Sequence, residues 1–492
     1  MRLLQSTLNQ TLQHVPADAL AQFAGLIDNK WIEQALACSG KASIRRRKLP
    51  AEHAVWLVIG LSLYRQLPMW QVVQQLSLSL DGQQLPAPSA SVQARQRLGC
   101  EPLQQLFGLI TQAWSRPNVT AVTPATPLAL RVLAVDGVVW SAPDTPDNRA
   151  ALGSCSTQHG PLPWPQVRAV CLLDTDTHEL LDARIGGMDQ GELTLATELQ
   201  GLDHCLTVFD RAYFSAAFLL RWQQGPERHW LMRAKDKLRH EPVHTLSAHD
   251  QLIRMPVSPR ARQIDPRLPS HWQARLITVT VQGRTRRFIT SLLDHKAYPA
   301  QRLAQLYRQR WEIELAFREI KPSLHGGHEV LRSKQPELVK QEVWGLLIAY
   351  TLLRRWMRKM AKQASVEPRR ISFHTAQHAI VGLLRTASLA TPGTLPQRLA
   401  DLLAQARYFV LPPRRPDRSY PREVKNRAHK FPSKKCQSGL TDWHWALGPL
   451  LLFGVTTRAA FAQDALARRA YSAHSRAKSP VPSLPDTVFS VA

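Results

Sequence analysis

Acidic residues are scarce in this chain. Its 492 residues carry 37 Asp and Glu against 63 Lys and Arg, a formal charge of +26 at pH 7. Long apolar runs are missing too. The longest, at 54–63, 346–353 and 450–455, fall far short of the ~20 residues that span a bilayer, so they are expected to be core segments and no membrane association is expected. The start of the chain has no charged stretch followed by an apolar run and a cleavage site, so no signal peptide is expected. Cysteine is sparse. Cys38, Cys100, Cys155, Cys171, Cys205 and Cys436 form no CxxC pair and no Cys-His cluster with zinc spacing. That pattern speaks against a zinc site or a disulfide framework and predicts buried, reduced thiols in a cytoplasmic protein. There is no Walker loop, Rossmann glycine pattern, Ser-His-Asp set or internal repeat, so ATP dependence is not implied.

What is present is a basic, globular composition, 44% hydrophobic and 20% charged. The length predicts roughly two to four domains. A surface with this excess of cations attracts polyanions, and nucleic acid is the partner it fits best, ahead of an anionic membrane or an acidic protein.

Residues 1–120 read as helical. A basic run, Arg45, Arg46, Arg47 and Lys48, precedes Pro50 and an apolar stretch at 55–64; we read the run as a phosphate contact, with a solvated loop as the alternative. An amphipathic segment follows at 69–80, then a Pro/Ser-rich break at 85–91, another helix through 107–114, and a Pro/Thr-rich linker at 118–127. The pattern then becomes strands at 131–135, 167–173 and 179–185, a helix at 192–202, a strand at 205–209, a helix at 214–223 and a strand at 229–232. This is the element order of an RNase H-like core, in which the first and fourth strands are neighbours. Asp136 and Asp210 then stand at adjoining strand ends, where open α/β sheets place their chemistry. Residues 236–300 read as a β-rich insertion. Helical periodicity returns from 300 to about 360 and again at 372–387 and 396–406. The predicted fold is therefore α/β. An RNase H-like catalytic core spans 126–385 with its insertion at 236–300, after an α-helical N-terminal domain at 1–120 and before a basic, Pro-rich C-terminal region at 386–492.

The sharpest feature is Tyr307, Arg310, Glu314 and Lys321, spaced three, four and seven apart. On a continuous α-helix these four fall within roughly 60° of one another. Taken alone, the set is equally a salt-bridged surface helix, since Arg310 and Glu314 are an i,i+4 pair. Joined to Asp136 and Asp210 it offers three carboxylates. Phosphoryl transfer on DNA commonly uses two divalent cations about 4 Å apart, one for the attacking and one for the leaving oxygen, and Mg²⁺ favours oxygen ligands. Arg310, Lys321 and Tyr307 then suit DNA phosphates. Asp174, Asp176 and Glu179 read instead as a solvated hairpin turn. Glu312 lies about 160° from Glu314 and is expected to point away, and Glu319 is a flanking acid that is easily mistaken for the third ligand. Trp311 and Phe317 read as core, and His178, His204 and His325 have no partner at a useful spacing.

These residues carry a family resemblance. Tyr307, Arg310, Glu314 and Lys321 match in full the Tyr-x2-Arg-x3-Glu-x6-Lys signature of the insertion-sequence-4 family of bacterial transposases. Asp136, in Val135-Asp136-Gly137, resembles that family's first catalytic Asp, and Asp210, ahead of Arg211, Ala212, Tyr213 and Phe214, its second. Residues 45–64 resemble the N-terminal domain that often precedes the catalytic one. The resemblance covers roughly residues 20–385. It implies that Asp136, Asp210 and Glu314 bind two Mg²⁺ ions, with Mn²⁺ able to substitute. It also implies action on double-stranded DNA, at element terminal repeats and target, by a homodimer in the bacterial, nucleoid-associated cytoplasm. The gap between Asp210 and Glu314 exceeds that between Asp136 and Asp210, as the inserted β-rich domain of the family requires. Two features depart from the pattern. Gly137 is followed by Val138 where the family often has Thr. The strand before Thr290 offers Arg286, Arg287 and Phe288 where some relatives use a Trp to hold a flipped base; Trp272 lies earlier, and no wedge residue is assigned.

The expected activity is hydrolysis at each element end to free a 3′-OH, then attack of that 3′-OH on target DNA, without a covalent enzyme–DNA intermediate. The alternatives are a DNA-binding repressor derived from an inactive transposase, which loss of one of the acids would favour, and an RNase H-like nuclease without strand transfer.

Overall fold

The computed structural model describes residues 27–413 except 43–48, 77–85, 116–129, 158–159, 282, 328–329 and 388–393. The basic run at 45–48, the linker at 118–127 and everything from residue 414 lie outside the described residues.

The chain opens with helices α1 (Asn29–Cys38), α2 (Ala51–Leu63), α3 (Met69–Gln75), α4 (Pro88–Leu98) and α5 (Glu101–Ser115). Asp28 caps α1 by accepting from the Lys30 amide. Every residue of α2 from Ala54 to Leu63 is buried, the mark of a helix enclosed on all sides. Strand β1 (Arg131–Ser141) is followed by α6 (Pro146–Leu152), β2 (Gln166–Asp174), β3 (Leu180–Gly187), α7 (Glu192–Ala196), β4 (Cys205–Phe209), α8 (Ala216–Trp222) and β5 (Arg228–Arg233). The β-rich segment adds β6 (Glu241–Ser247), β7 (Asp250–Pro256), α9 (Pro259–Ile264), β8 (His271–Val281) and β9 (Arg284–Thr290). Helix α10 (Ala300–Leu306) leads through a 3₁₀ turn (Tyr307–Arg310) into α11 (Trp311–Arg318) and a π-helical segment (Glu319–Leu324). Helices α12 (Pro336–Gln363), α13 (Phe373–Ala387) and α14 (Leu395–Ala404) complete it.

The strands form one nine-stranded sheet in the order β3-β2-β1-β4-β5-β9-β8-β7-β6. β1 runs antiparallel to β2 and parallel to β4. The β-rich segment extends this same sheet, because β9 pairs antiparallel with β5 from Phe288 opposite Arg233 to Thr290 opposite Leu231. Alternate residues of β1 feed two cores. Val132 and Ala134 join the helical side with α2, α5 and α12, whereas Leu133 and Val135 join Phe209, Tyr213, Phe218 and Trp222. Burial on both faces explains why this strand reads as an unbroken apolar run.

Three expectations are corrected. The helix expected at 192–202 ends at Ala196, and the Gln200 amide is instead captured by the Asp182 carboxylate at 2.7 Å. The helix expected from 300 to 360 is interrupted, first by the change of helix type at 307–324 with Pro322 inside it, then by non-helical residues before Pro336. Two of the three acids in the turn after β2 are buried, not solvated: Asp174 pairs with Arg131 at 2.6 Å, and Glu179 meets Arg355 and Arg358 of α12 at 3.3 and 3.6 Å, while Asp176 stays half-exposed.

Helix α12 joins the N-terminal helices to the sheet. On one side it buries Glu342 against Arg65, with the Ser333 hydroxyl donating to it at 2.7 Å. The residue before Glu342, Gln341, accepts from Arg95 at 2.8 Å and donates to the Arg95 and Gly99 carbonyls. No helix among the described residues is long and apolar enough to cross a membrane. Glu342→Ala leaves Arg65 buried without its counter-charge and is expected to cost about 3–5 kcal/mol, read as a lower urea midpoint for the full chain.

Candidate active site

Asp136 stands one residue beyond Val135, whose pairing with Phe209 ends the parallel β1–β4 ladder, and Asp210 follows Phe209 directly. Backbone amides aim both side chains: Gly137 donates to Asp136 Oδ1 at 2.9 Å, and Ala212 donates to Asp210 Oδ1 at 3.2 Å. Glu314 comes from α11, which packs across β1. Arg310, 9% exposed, reaches all three acids, with its guanidinium 2.8 Å from Glu314 Oε1, 3.7 Å from Asp136 Oδ2 and 3.9 Å from Asp210 Oδ2.

The cluster is short of positive charge, since one guanidinium faces three carboxylates. Burial raises the Asp136 carboxyl to about 6; the Gly137 amide and Arg310 oppose this, and Glu192 and Glu314 add to it. The donors are all carboxylate oxygens, a hard set suited to Mg²⁺ or Mn²⁺ and ill-suited to thiolate-seeking metals. Among the described residues no three ligating side chains already stand around a cation-sized point, because Arg310 occupies the centre. The chemistry of the donors and their demand for positive charge both fit a divalent cation.

The remaining members of the signature are spread over three helix types. Tyr307 and Arg310 lie on the 3₁₀ turn, Glu314 on α11 and Lys321 on the π segment, so the single continuous helix face expected from the spacing is not what forms. Tyr307 is half-buried with its ring 5.0 Å from Phe288; burial pushes its phenol above the ordinary value, and its oxygen takes a bond from the Arg233 backbone. Lys321 is exposed, with Nζ 6.0 Å from the ring centre of Trp140 on β1. Trp311, expected in the core, is 54% exposed and lies 5.1 Å under the Arg310 guanidinium. The reason is its place in α11: the buried Ile313, Ala316 and Phe317 lie roughly 120–160° away around the helix at about 100° per residue, so Trp311 faces outward. Phe317 is buried as expected.

Below Glu314 the same segment is bolted to the sheet by a buried polar network. His178, in the turn after β2 at φ 61°, bonds Glu312 through Nε2 at 2.9 Å and Arg354 through Nδ1 at 2.8 Å. Arg354 pairs with Glu319, which also accepts from the Tyr350 hydroxyl at 2.8 Å. Burial works against the charge on Glu319, but Arg354 and His178 outweigh it and hold that carboxyl at about 2. Glu312 and Glu319 therefore face away from the acid cluster and fasten the helix that carries Glu314. His178 thus has partners after all. They lie 134 and 176 residues away, so no spacing within the sequence announces them.

Two family models match the chain. Residues 17–108 match the insertion element 4 transposase N-terminal family, and residues 127–352 the transposase DDE domain. The transposase InsG of insertion sequence element IS4 from Escherichia coli K12 is 38% identical over 430 residues, covering 85% of this chain and 95% of that protein. The chain belongs to the insertion-sequence-4 family of transposases. It is an enzyme that cleaves DNA and transfers strands, with a catalytic domain of a kind that works with divalent metal ions. The putative transposase InsZ of the same organism is 32% identical over 236 residues, 46% of this chain and 76% of that protein. A solved piggyBac transposase synaptic complex with hairpin DNA superposes only loosely, at TM-score 0.37 and 11% identity over 82% of this chain and 87% of that one.

His178→Ala in this transposase removes the imidazole between Glu312 and Arg354. The expected loss is about 1–3 kcal/mol for a buried partner left unsatisfied, measured by urea denaturation, together with slower DNA cleavage at unchanged DNA affinity because Glu314 is less firmly held.

Proposed function

We propose that Asp136, Asp210 and Glu314 are the three metal-binding carboxylates of this transposase, and that they hold two Mg²⁺ ions, for which Mn²⁺ can substitute. The observation that carries this is their convergence on Arg310 just past the last β1–β4 pair, with Asp136 inside β1, which continues to Ser141 and so does not end at the aspartate as expected, and Asp210 directly after β4. When bound, the ions supply activation of the attacking oxygen and stabilisation of the leaving one. We read strands β1 to β5, with β1 beside β4, as an RNase H-like core spanning 126–385, with 236–300 inserted. We assign recognition of the element ends to residues 1–120, including Arg45, Arg46, Arg47 and Lys48. Residues 386–492 form a basic C-terminal region.

The chain's own groups then divide the work. Strand pairing sets the spacing of Asp136 and Asp210, and the amides of Gly137 and Ala212 keep their oxygens turned toward the cluster. The His178 network fixes α11 so that Glu314 faces them. Arg310, seated among the acids, carries a guanidinium that can grip a phosphate on two oxygens, and Lys321 adds a point charge farther along β1. Tyr307 acts from its packed position as a shaping wall and hydroxyl. Exposed Trp311 beside Arg310 offers a flat surface on which an unstacked base can rest. In the first step water breaks a phosphodiester at the element end and the 3′ oxygen leaves as a free hydroxyl. In the second, that hydroxyl forms the new P–O bond while a target 3′ oxygen departs, so no energy-rich cofactor is consumed. The substrate is double-stranded DNA, both terminal repeats and target, in the bacterial cytoplasm. Cutting two ends together calls for a homodimer in the DNA complex.

Glu314→Gln is expected to lower Mg²⁺-dependent cleavage and strand transfer on element-end DNA by roughly 10²–10³ or more while binding of that DNA persists. Binding without cutting by the wild type would favour the repressor reading, and cutting without joining the nuclease reading. Lys321→Ala is expected to weaken binding about equally across sequences and to reduce the salt slope of log K by about 1, measured by filter binding between low and high salt.

A further inference from the structure

A fourth carboxylate stands against the acid cluster. Glu192 is the first residue of α7, in the connection between β3 and β4. Its carboxylate lies directly over Gly137: a Cβ at that glycine would meet the carboxylate carbon at 2.6 Å and its oxygens at 2.7 and 3.0 Å. Only a residue without a side chain next to Asp136 leaves room for it. The second contact is to the other aspartate's loop. The Tyr213 hydroxyl, on a residue 1% exposed, donates to Glu192 Oε1 at 2.5 Å. Tyr213 closes the 3₁₀ turn that the Asp210 side chain caps. Glu192 therefore touches the backbone beside Asp136 and the turn that begins at Asp210.

Its electrostatics set it apart from the other half-buried acids. Asp174, Asp182, Glu179, Glu312, Glu319 and Glu342 each form an ion pair with an Arg. Among the described residues Glu192 forms no ion pair with Arg, Lys or His, and its hydrogen-bond partner is the neutral phenol of Tyr213. A carboxylate held out of water without a cation is costly unless a cation arrives. The cluster beside it already draws the Arg310 guanidinium into its centre, which shows that the locality accepts positive charge.

We propose that Glu192 is the fourth carboxylate of the metal site, adding its charge and a free oxygen to the cation held at Asp136 while Tyr213 fixes its orientation. This rests on the reading of Asp136, Asp210 and Glu314 as the metal ligands. The test is Mn²⁺ binding by the full-length chain without DNA, followed through the electron paramagnetic resonance signal of free Mn²⁺. Glu192→Gln keeps the shape and an acceptor for Tyr213 but removes the charge. It is expected to weaken Mn²⁺ binding by about 10- to 100-fold with circular dichroism and element-end DNA affinity unchanged. Tyr213→Phe keeps the charge and is expected to weaken binding less. Wild-type Mn²⁺ affinity in Glu192→Gln, with Asp136→Asn impaired, overturns the role of Glu192 and leaves the three-carboxylate site standing. Wild-type affinity in Asp136→Asn overturns that underlying site and this proposal with it. Should Glu192→Gln fail to fold, Gly137→Ala pushes the intact carboxylate off its seat; weakened Mn²⁺ binding there supports the proposal, and unchanged binding overturns it.

Discussion

Everything at the site depends on the parallel pairing of β1 with β4. Five residue pairs, from Arg131 opposite Cys205 to Val135 opposite Phe209, bring together segments far apart in sequence and stop one residue short of an aspartate on each strand. A slip of one residue would turn Val135 and Phe209 to the wrong face and carry both acids with them. The register is held by burial on both sides. Val132 and Ala134 pack toward the helices, while Leu133 and Val135 pack against the aromatic group of Phe209, Tyr213, Phe218 and Trp222. The same aromatic group seats Tyr213, so the packing that fixes the strands also fixes the turn after Asp210.

Gathering acids at one point works against folding, and the rest of the protein answers that charge in two different ways. Away from the cluster, each buried acid is matched locally: Glu312 and Glu319 by His178, Arg354 and Arg369, Glu179 by Arg355 and Arg358, and Glu342 by Arg65. Such pairs offer little net stability, since the Coulomb gain is offset by desolvation. Their geometry is what counts, because they lock α11 and the π segment to α12 and to the turn after β2. At the cluster itself matching is incomplete, with Arg310 alone among three acids. Burial holds Asp136 near 6 there, where full pairing would have drawn it down. We read that contrast between answered and unanswered charge as the mark that sets the acids proposed to hold metal apart from the structural ones.

Much of this was legible in the sequence. The order of strands and helices follows from apolar runs and periodicity, and it predicted that Asp136 and Asp210 would be neighbours, as the ladder shows. The spacing of Tyr307, Arg310, Glu314 and Lys321 pointed to one segment, and Arg310 and Glu314 do meet. What stayed hidden were relations made by long-range packing. The acidic turn looked solvated because Asp174, Asp176 and Glu179 are polar and adjacent, yet α12, over 150 residues later in the chain, brings Arg355 and Arg358 down on it. His178 looked solitary for the same reason. Glu192 had no local signal, since its meaning lies in touching Gly137 and Tyr213 across two different connections.

Position in the helix, not residue type, decides where Trp311 goes. The buried apolar residues of α11, Ile313, Ala316 and Phe317, lie two, five and six positions after it, which at about 100° per residue sets them roughly 160°, 140° and 120° away around the helix. Trp311 therefore stands on the side opposite the buried stripe and faces outward, with the Arg310 guanidinium over its ring. A reading by residue type sends an indole to the core; a reading by periodicity sends this one to the surface. The same helix thus buries one stripe against the sheet and leaves an aromatic face beside the cation that the acids hold.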